Sequence, residues 1–165
     1  MKVDISSILK VNDASLNVEF NETIENFEST YDDLFFGEPI EFKGTFVNIG
    51  GIIKLDGRLR TGYSVKCSRC LRDLKKDIVV DIKEDFTEED KFDKDEAYTY
   101  QGKIIELDKV LKDNIILNLP AKQICTEECK GLCSICGGNL NEKDCKCSED
   151  EVNPRMAVLK NFFND

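Results

Sequence analysis

Apolar and polar residues alternate along much of the first half of the chain, the pattern of strands that bury one face. This alternation predicts short strands at Met1–Ile8 and Leu16–Phe20, and longer strands at Ile40–Asn48, Ile52–Val65 and Leu71–Phe86. Because only short links separate the strands, consecutive strands are expected to pair antiparallel as a meander.

Glycines interrupt the strand pattern at defined places. Gly50-Gly51 predicts the turn that follows Ile40–Asn48, and Gly57 and Gly62 predict bulges or bends in the next strand. Further along, a hairpin is predicted over Tyr98–Ile105, turning at Gln101-Gly102.

Helical spacing of apolar residues is found in three places. Thr23–Phe36 has near-helical spacing, and Lys109–Asn118 is predicted as a helix with Asp108 as its N-cap and an end before Pro120. A further helix with an apolar stripe is predicted to begin at Asn153. The predicted fold class is therefore α+β: an antiparallel β-meander with a few helices.

Whether the eight cysteines bind metal or form disulfides depends on the cellular compartment. The chain has no apolar run long enough to span a membrane, and its N-terminus lacks the features of a secretory signal, so a cytoplasmic protein is expected. Thiols stay reduced there, and spaced pairs then indicate a metal site; the alternative is a secreted protein with four disulfides.

The absence of histidine excludes several classes of enzyme. With no histidine in the chain, Ser-His-Asp hydrolases, Cys-His proteases and imidazole acid–base catalysis are excluded. No nucleophile is paired with a base, and no phosphate-binding or dinucleotide-binding glycine motif is present. We therefore expect a protein that is not an enzyme and has no small-molecule substrate.

The spacing of the cysteines is typical of zinc binding. Six follow the pattern C-x3-C-x3-C-x2-C-x8-C-x-C, and the other two form the separate pair Cys67-Ser-Arg-Cys70. A C-x2-C turn presents two sulfurs to one ion, and two such elements complete a tetrahedral structural site. One or two structural Zn²⁺ ions are predicted, with ligands from Cys67, Cys70, Cys125, Cys129, Cys133, Cys136, Cys145 and Cys147.

The spacing leaves the assignment of ligands to ions open. The favoured division places Cys67 and Cys70 with the 125/129 pair and leaves the four cysteines from 133 to 147 for a second ion. A second division joins the cysteines at 125, 129, 133 and 136, and a third has one zinc with four free thiols. The rival function is a thiol redox pair at Cys67 and Cys70, although the residues that follow suggest a strand and not the helix of thioredoxin-type sites.

Charge is distributed unevenly in a chain with a formal net charge of −10. Glu84–Glu96 is strongly acidic, and Phe86–Tyr98 is expected to be a solvated loop. Eight basic residues precede it, opposed only by Asp56 and Asp73, and Tyr63 lies among them to stack on a base. This basic strip predicts RNA contacts, whereas the alternatives are a solvated sheet face and charge balance against the acidic loop at 84–96. The members of the strip are Lys54, Arg58, Arg60, Lys66, Arg69, Arg72, Lys75 and Lys76.

The chain is predicted to contain two domains. Residues 1–120 would form the β-rich core with the basic strip, and residues 121–165 the Cys-rich zinc module with the C-terminal helix. The module has few apolar residues, so a metal is expected to supply the free energy of its folding.

These motifs together resemble the YceD family of large ribosomal RNA subunit accumulation proteins. The resemblance is carried by the segment from Cys125 to Cys147, by the Cys67–Cys70 turn, by Asn114–Pro120 and by Asn153-Pro154-Arg155, where the family has Asp-Pro-Arg. It implies a role in accumulation of large-subunit ribosomal RNA, with that RNA, a ribosomal protein or an assembly intermediate as partner. Some members lack counterparts of Cys133–Cys147 but keep the turn, which implies that Cys67 and Cys70 find partners near 125 and 129.

Overall fold

A computed structural model describes residues 1–23, 34–89 and 97–147. Within these ranges the chain forms seven strands followed by one helix. The elements are β1 (Lys2–Asp4), β2 (Ser15–Glu22), β3 (Ile40–Ile49), β4 (Ile52–Lys66), β5 (Asp73–Glu88), β6 (Tyr98–Tyr100), β7 (Ile104–Glu106) and α1 (Leu107–Asn118). The α+β class is confirmed in this coarse sense: a mostly β structure with one described helix.

The main sheet has five strands in the order β2-β3-β4-β5-β6. Strands β2 to β5 pair antiparallel with their neighbours in the chain, as the meander prediction requires. The last strand differs because β6 pairs parallel with β5. β1 and β7 form a separate two-stranded antiparallel sheet.

The predicted hairpin over Tyr98–Ile105 forms only as an isolated antiparallel bridge between Gln101 and Ile104. The turn at Gln101-Gly102 exists, and Gly102 adopts a positive φ of 66° there. The strands on either side, however, pair with different partners, β6 with β5 and β7 with β1. Likewise, the strand predicted at Met1–Ile8 is only the short β1, after which the chain turns.

Strand β4 runs without the bulges that Gly57 and Gly62 were expected to introduce. Its register with β5 is continuous from Ile53 to Lys66, with no extra residue on either strand. Gly57 instead lies opposite Gly44 on β3, and a Cβ at either glycine would approach the ring of Phe42 within 2.8 Å. Both glycines are therefore needed because the Phe42 ring occupies the space above them.

The alternating residues of the sheet form the core. Phe42 and Phe46 of β3 are fully buried, as are Ile53 and Leu59 of β4 and Ile82 of β5. The ring of Phe46 lies 6.0 Å from that of Phe86, and Phe20 stacks on Phe42 at 4.9 Å between centroids. Burial of these side chains is the main favourable contribution to folding of the sheet.

Helix α1 begins earlier than the sequence predicts. It starts at Leu107, with Glu106 in the N-cap position, so Asp108 belongs to the first turn and is not the cap. The Asp108 carboxylate accepts a hydrogen bond from the main-chain amine of Met1 at 2.7 Å. A carboxylate in the first turn is also favoured by the helix dipole. The helix ends at Asn118, before Pro120, as predicted.

Several predicted elements lie wholly or partly outside the described residues. The helix over Thr23–Phe36 is one, and its described end is not helical because Phe35 forms an isolated β-bridge with Ser64. The loop over Phe86–Tyr98 is another; its ends belong to β5 and β6. The helix beginning at Asn153 lies entirely outside the described ranges.

The chain divides into two compact units. The first contains Met1–Lys66 and Asp73–Gln123, and the second contains Cys67–Arg72 together with the chain from Ile124 onward. The boundary at residue 120 predicted from sequence stays a prediction. No helix in the described ranges combines the length and apolar character needed to cross a bilayer.

Candidate metal centres

The second unit brings all eight cysteines into two groups of four sulfurs. The first group contains Cys67, Cys70, Cys125 and Cys129, and the second contains Cys133, Cys136, Cys145 and Cys147. Within each group the sulfur atoms lie within 4.8 Å of one another. This is the grouping that the favoured division of the cysteines describes.

The first group combines two segments that are far apart in the chain. The Cys67 sulfur lies 4.0 Å from that of Cys129, and the Cys70 sulfur lies 3.8 Å from that of Cys125. Three of these four residues are buried, and Cys125 is half-buried. The turn between β4 and β5 thus supplies two sulfurs, and the segment after α1 supplies the other two.

The second group is local and more exposed. The Cys145 sulfur lies 3.5 Å from the sulfurs of both Cys133 and Cys136. Cys136 is exposed, while the other three members, including Cys147, are half-buried.

The sulfur separations fit a tetrahedral thiolate site. A disulfide would bring two sulfurs to about 2.05 Å, which is far shorter than the 3.5 to 4.0 Å found here. Four sulfurs placed about 2.3 Å from one zinc ion at tetrahedral angles are separated by roughly 3.8 Å. The donors present therefore fit zinc, and four thiolates would leave no position on the ion for a reacting water.

The two C-x2-C turns have the same backbone geometry. The N–H of Cys67 donates to the carbonyl of Arg72 at 2.8 Å, and that of Leu71 donates to the carbonyl of Cys67 at 2.9 Å. In the second turn, Cys133 N–H donates to Gly138 at 2.8 Å and Gly137 N–H to Cys133 at 2.9 Å. These turns, Cys67–Arg72 and Cys133–Gly138, are called the first and second knuckle below.

The knuckles differ at the residue that follows the second cysteine. Gly137 adopts a φ of 70°, the left-handed region that glycine enters without strain. Leu71 occupies the same position with a φ of 58°, which is unfavourable for a residue with a Cβ. The sequence analysis missed this equivalence, although the shared pattern Cys-Ser-x-Cys was a signal for it.

Backbone N–H groups favour the thiolate at one cysteine of the first group. Burial of Cys67 disfavours its thiolate, but the N–H groups of Cys70, Arg69 and Cys125 outweigh burial and lower the pKa of Cys67 to about 6. At Cys70 the N–H of Arg72 acts in the same direction, yet burial and the hydrogen bond with Cys67 raise the pKa to about 12.

The second group also contains one thiol with a lowered pKa and one with a strongly raised pKa. The backbone N–H groups of Cys136 and Ile135, together with the thiol of Cys145, lower the pKa of Cys133 to about 6. The Ile135 N–H lies 3.4 Å from the Cys133 sulfur. Hydrogen bonds with Cys145 and Cys136 raise the pKa of Cys147 to about 12. Each group therefore contains one thiol whose pKa is lowered to about 6, and in the first group, against the effect of burial, the N–H of Gly131 and neighbouring thiols also lower the pKa of Cys129.

Two residues predicted as RNA contacts support the first group. One guanidinium nitrogen of Arg69 donates to the carbonyls of Glu127 and Cys129, at 3.1 and 3.0 Å. Arg72 forms an ion pair of 3.5 Å with Glu142. Arg69 thus holds the 125–129 segment through neutral carbonyls and keeps its positive charge uncompensated by that contact.

Four other members of the basic strip form ion pairs with aspartates of β5. Lys54 pairs with Asp85 at 3.1 Å, Arg58 with Asp81 at 2.6 Å, Arg60 with Asp77 at 3.4 Å and Lys66 with Asp73 at 2.7 Å. Because Arg58 donates to Asp81, the pKa of Asp81 is lowered. Lys76 donates to Gln123 at 3.1 Å, and Lys75 is exposed.

Strand register explains this pairing. Lys54, Arg58 and Lys66 lie directly opposite Asp85, Asp81 and Asp73 across the β4–β5 ladder. The same outer face carries ion pairs between Lys83 and Asp56 and between Lys43 and Glu19. These residues lie on a charged outer sheet face, and of their aspartate partners only Asp85 belongs to the acidic stretch 84–96. Their contact with RNA stays a prediction.

Tyr63 is not available for base stacking. Its ring is 4% exposed, and its hydroxyl donates to Gln123 at 3.3 Å. It packs in the core beside Phe36, with ring centroids 5.8 Å apart. The expectation that Tyr63 stacks on RNA is therefore wrong, because strand β4 turns this side chain inward.

Comparison with known proteins gives one family. The family model described as Large ribosomal RNA subunit accumulation protein YceD matches residues 55–163. This range includes both cysteine groups and most of the basic strip. No solved structure matches the chain.

Three similar proteins come from plants and a bacterium. The Arabidopsis thaliana protein named Large ribosomal RNA subunit accumulation protein YCED homolog 1, chloroplastic, is 25% identical over 76% of this chain and 49% of its own length. Its Zea mays namesake is 26% identical over 68% of this chain and 50% of its own length. The Bacillus subtilis protein YlbN is 27% identical over 88% and 87%. The chain thus spans about half the length of the two plant relatives.

Proposed function

The chain belongs to the YceD family of large ribosomal RNA subunit accumulation proteins, and from that premise we propose that it is a non-catalytic zinc-binding factor that supports accumulation of this RNA. The observation that carries the proposal is the pair of four-sulfur groups with tetrahedral spacing. Closed thiolate sites stabilise a fold and do not activate water, so the chain acts by binding.

The metal part of the proposal concerns the second unit. Its described residues contain few buried apolar side chains besides cysteines, so a bound metal supplies the free energy that a hydrophobic core supplies elsewhere. The first centre would use Cys67, Cys70, Cys125 and Cys129, and the second would use Cys133, Cys136, Cys145 and Cys147. Zinc is the metal proposed because it prefers four thiolates in this arrangement.

We take precursor ribosomal RNA as the partner and the first knuckle as the contact. On the outer sheet face, a phosphate approaching Arg58 or Arg60 also meets Asp81 or Asp77, so attraction is largely cancelled. Arg69 is exposed and contacts only neutral carbonyls in its described hydrogen bonds. Arg72 lies in the same knuckle, but its ion pair with Glu142 offsets part of its charge, so Arg69 is the main candidate contact.

The RNA proposal is tested by two matched charge reversals. Arg69→Glu with Arg72→Glu is expected to reduce recovery of precursor large-subunit RNA with the purified chain by at least about tenfold. Arg58→Glu with Arg60→Glu changes the net charge equally and is the control, with RNA recovery near that of the unaltered chain. Zinc content of each variant shows whether the first centre survives the change.

Other outcomes assign the partner differently. Loss of RNA only in the Arg58/Arg60 variant would place the contact on the outer sheet face. Unchanged recovery in both variants would contradict RNA binding through the strip and favour a ribosomal protein as the partner.

The metal proposal is tested by elemental analysis of protein purified without added metal. About two zinc ions per chain, with no freely reactive thiol, are expected for two closed sites. Zero zinc together with a readily oxidised Cys67–Cys70 pair would overturn the proposal and support the thiol redox function. In cells, depletion of the chain should lower large-subunit ribosomal RNA relative to small-subunit RNA, and a Cys70→Ser copy should not restore it.

A further inference from the structure

Asn141 links the two cysteine groups. It lies in the loop between Cys136 and Cys145, so the second group determines where this loop begins and ends. Its side-chain amide, however, donates to the sulfur of Cys129 in the first group, with Nδ2 and Sγ separated by 3.4 Å. This contact is a direct polar connection from the loop of one group to a ligand sulfur of the other.

The hydrogen bonds around Asn141 define the orientation of its amide. The backbone N–H of Lys130 donates to Oδ1 of Asn141 at 2.9 Å. On the other side, Nδ2 donates to Oδ1 of Asn139 at 2.8 Å in addition to the Cys129 sulfur. An amide flipped by 180° would place an acceptor against the sulfur and a donor against an N–H, so only this orientation satisfies every partner.

The loop that carries Asn141 is ordered by contacts near the second knuckle. Leu132 and Asn139 form a β-bridge, and the N–H of Leu140 donates to the carbonyl of Gly131 at 3.0 Å. Asn139 also donates to the Glu142 carboxylate at 3.0 Å. Closing Cys136 and Cys145 onto a common ion restricts this loop further and holds Asn141 against Cys129.

We propose that Asn141 is a positioning residue that couples metal binding at the two centres. This inference rests on the metal centres of the proposed function. An N–H donor to a ligand sulfur withdraws charge from the thiolate and stabilises a site that holds four of them, and loss of such outer contacts typically lowers metal affinity about 10- to 100-fold. Because coupling between two sites is reciprocal, each bound ion raises the affinity of the other centre.

The test is a double-mutant cycle on the full chain, read as zinc affinity of the first centre in competition with a chromophoric chelator. Cys136→Ser disables the second centre and is expected to lower the affinity of the first about tenfold. In an Asn141→Ala background the same Cys136→Ser change is expected to have a clearly smaller effect on the first centre, with the Arg72–Glu142 ion pair as the remaining connection to this loop. Lys143→Ala, an exposed change in the same loop, is the control and should leave the coupling intact.

A second variant separates hydrogen-bond donation from simple packing. Asn141→Asp keeps the shape of the side chain and the acceptor for Lys130 N–H, but it replaces the donor with a negative charge beside Cys129. Zinc affinity of the first centre is therefore expected to fall in the order Asn141, Asn141→Ala, Asn141→Asp. Asn141→Asp affinity equal to that of the unaltered chain would mean that only shape matters and would overturn the proposal.

A spectroscopic measurement checks the contact without relying on affinity. With ¹¹³Cd in place of zinc, the side-chain amide proton of Asn141 should show a scalar coupling to the cadmium bound at the first centre. A chain that binds two ions without this coupling, and whose Cys136→Ser effect is the same with and without Asn141, contradicts the inference and leaves the proposed function standing. A chain that binds no zinc or cadmium contradicts both.

Discussion

The two cysteine groups have the same four donors but differ in how the chain assembles them. In the first group, the paired sulfurs belong to residues 55 and 62 positions apart, and three of the four cysteines are buried. In the second group, the close sulfurs are 9 and 12 positions apart, and Cys136 is exposed. The same four thiol donors are thus brought together by long-range contacts in the first group and by local contacts in the second.

Sequence separation and burial determine the role of each group. The entropy of closing a loop grows with the logarithm of its length, so joining the first group restricts an unfolded chain by roughly 1.5 kcal/mol more than joining the second. Burial also keeps reagents away from the first group. The first centre is therefore expected to act as a stabilising cross-link between distant segments, and the second as a local clamp on its own short loop.

Removal of one cysteine from the first centre is expected to destabilise the chain more than removal of one cysteine from the second. Cys129→Ser should release one zinc ion and cost on the order of 4 kcal/mol, which lowers the thermal midpoint by about 10 °C. Cys136→Ser should also release one zinc ion but unfold only the second centre, while the sheet persists. Calorimetry with zinc analysis measures both.

The matched pair tests the comparison because each variant removes one thiolate. Equal shifts of the midpoint would show that chain separation and burial do not distinguish the centres. Full zinc content in the Cys136→Ser variant would contradict the assignment of the second centre.

The next effect concerns reactivity and separates burial from acidity. In protein from which metal has been removed without unfolding the two groups, Cys67 and Cys133 both have a pKa lowered to about 6, but Cys67 is buried and Cys133 is half-buried. Since only the thiolate reacts, alkylation of Cys133 should be fast at pH 7 and fall as the pH drops through about 6. Cys67 should react at least about tenfold more slowly at pH 7, and Cys147, with a pKa near 12, should stay unreactive there. Mass spectrometry of alkylated peptides gives each rate, and equal rates for Cys67 and Cys133 would exclude burial as the protecting factor.

The smallest expected change in stability comes from substitutions at the positive-φ position of each knuckle. Leu71 is 56% exposed and has a positive φ, so Leu71→Gly removes backbone strain at little loss of packing. We expect this change to stabilise the chain by about 1 kcal/mol, whereas Gly137→Leu should destabilise it by a similar amount. Urea unfolding monitors both changes. A destabilising Leu71→Gly would show that the Leu71 side chain contributes contacts that outweigh the strain.

Much of the fold follows from local patterns in the sequence. Alternation locates β2 to β5, and Gly50-Gly51 marks the turn between β3 and β4. The parallel strand β6 has no such signal, because three residues are too few for a periodic pattern. Gly57 suggested a bulge because a strand glycine often marks one, but here it accommodates the Phe42 ring, a contact that only the register of β3 and β4 creates.

In the candidate site, too, contacts that depend on the fold could not be predicted from the sequence. The cysteine spacing located the members of both four-sulfur groups, whereas Asn141 was missed because its contact with Cys129 depends on how two loops fold against each other. The basic strip gives the clearest lesson. A linear window counts Lys54 and Arg58 without Asp85 and Asp81, although these aspartates lie directly opposite them in the sheet. Charge along a chain predicts a charged surface only when the neighbouring strand is counted too.

The strand order has a consequence for the timing of synthesis. Strands β2 to β5 pair with their neighbours in the chain, so this part of the sheet can close before the residues after Glu88 have been made. Cys67 and Cys70 then lack the other two members of their group until Cys125 and Cys129 leave the ribosome. Completion of the first cysteine group thus follows closure of this part of the sheet, and a chain that stops before Cys125 contains the sheet without the metal centre.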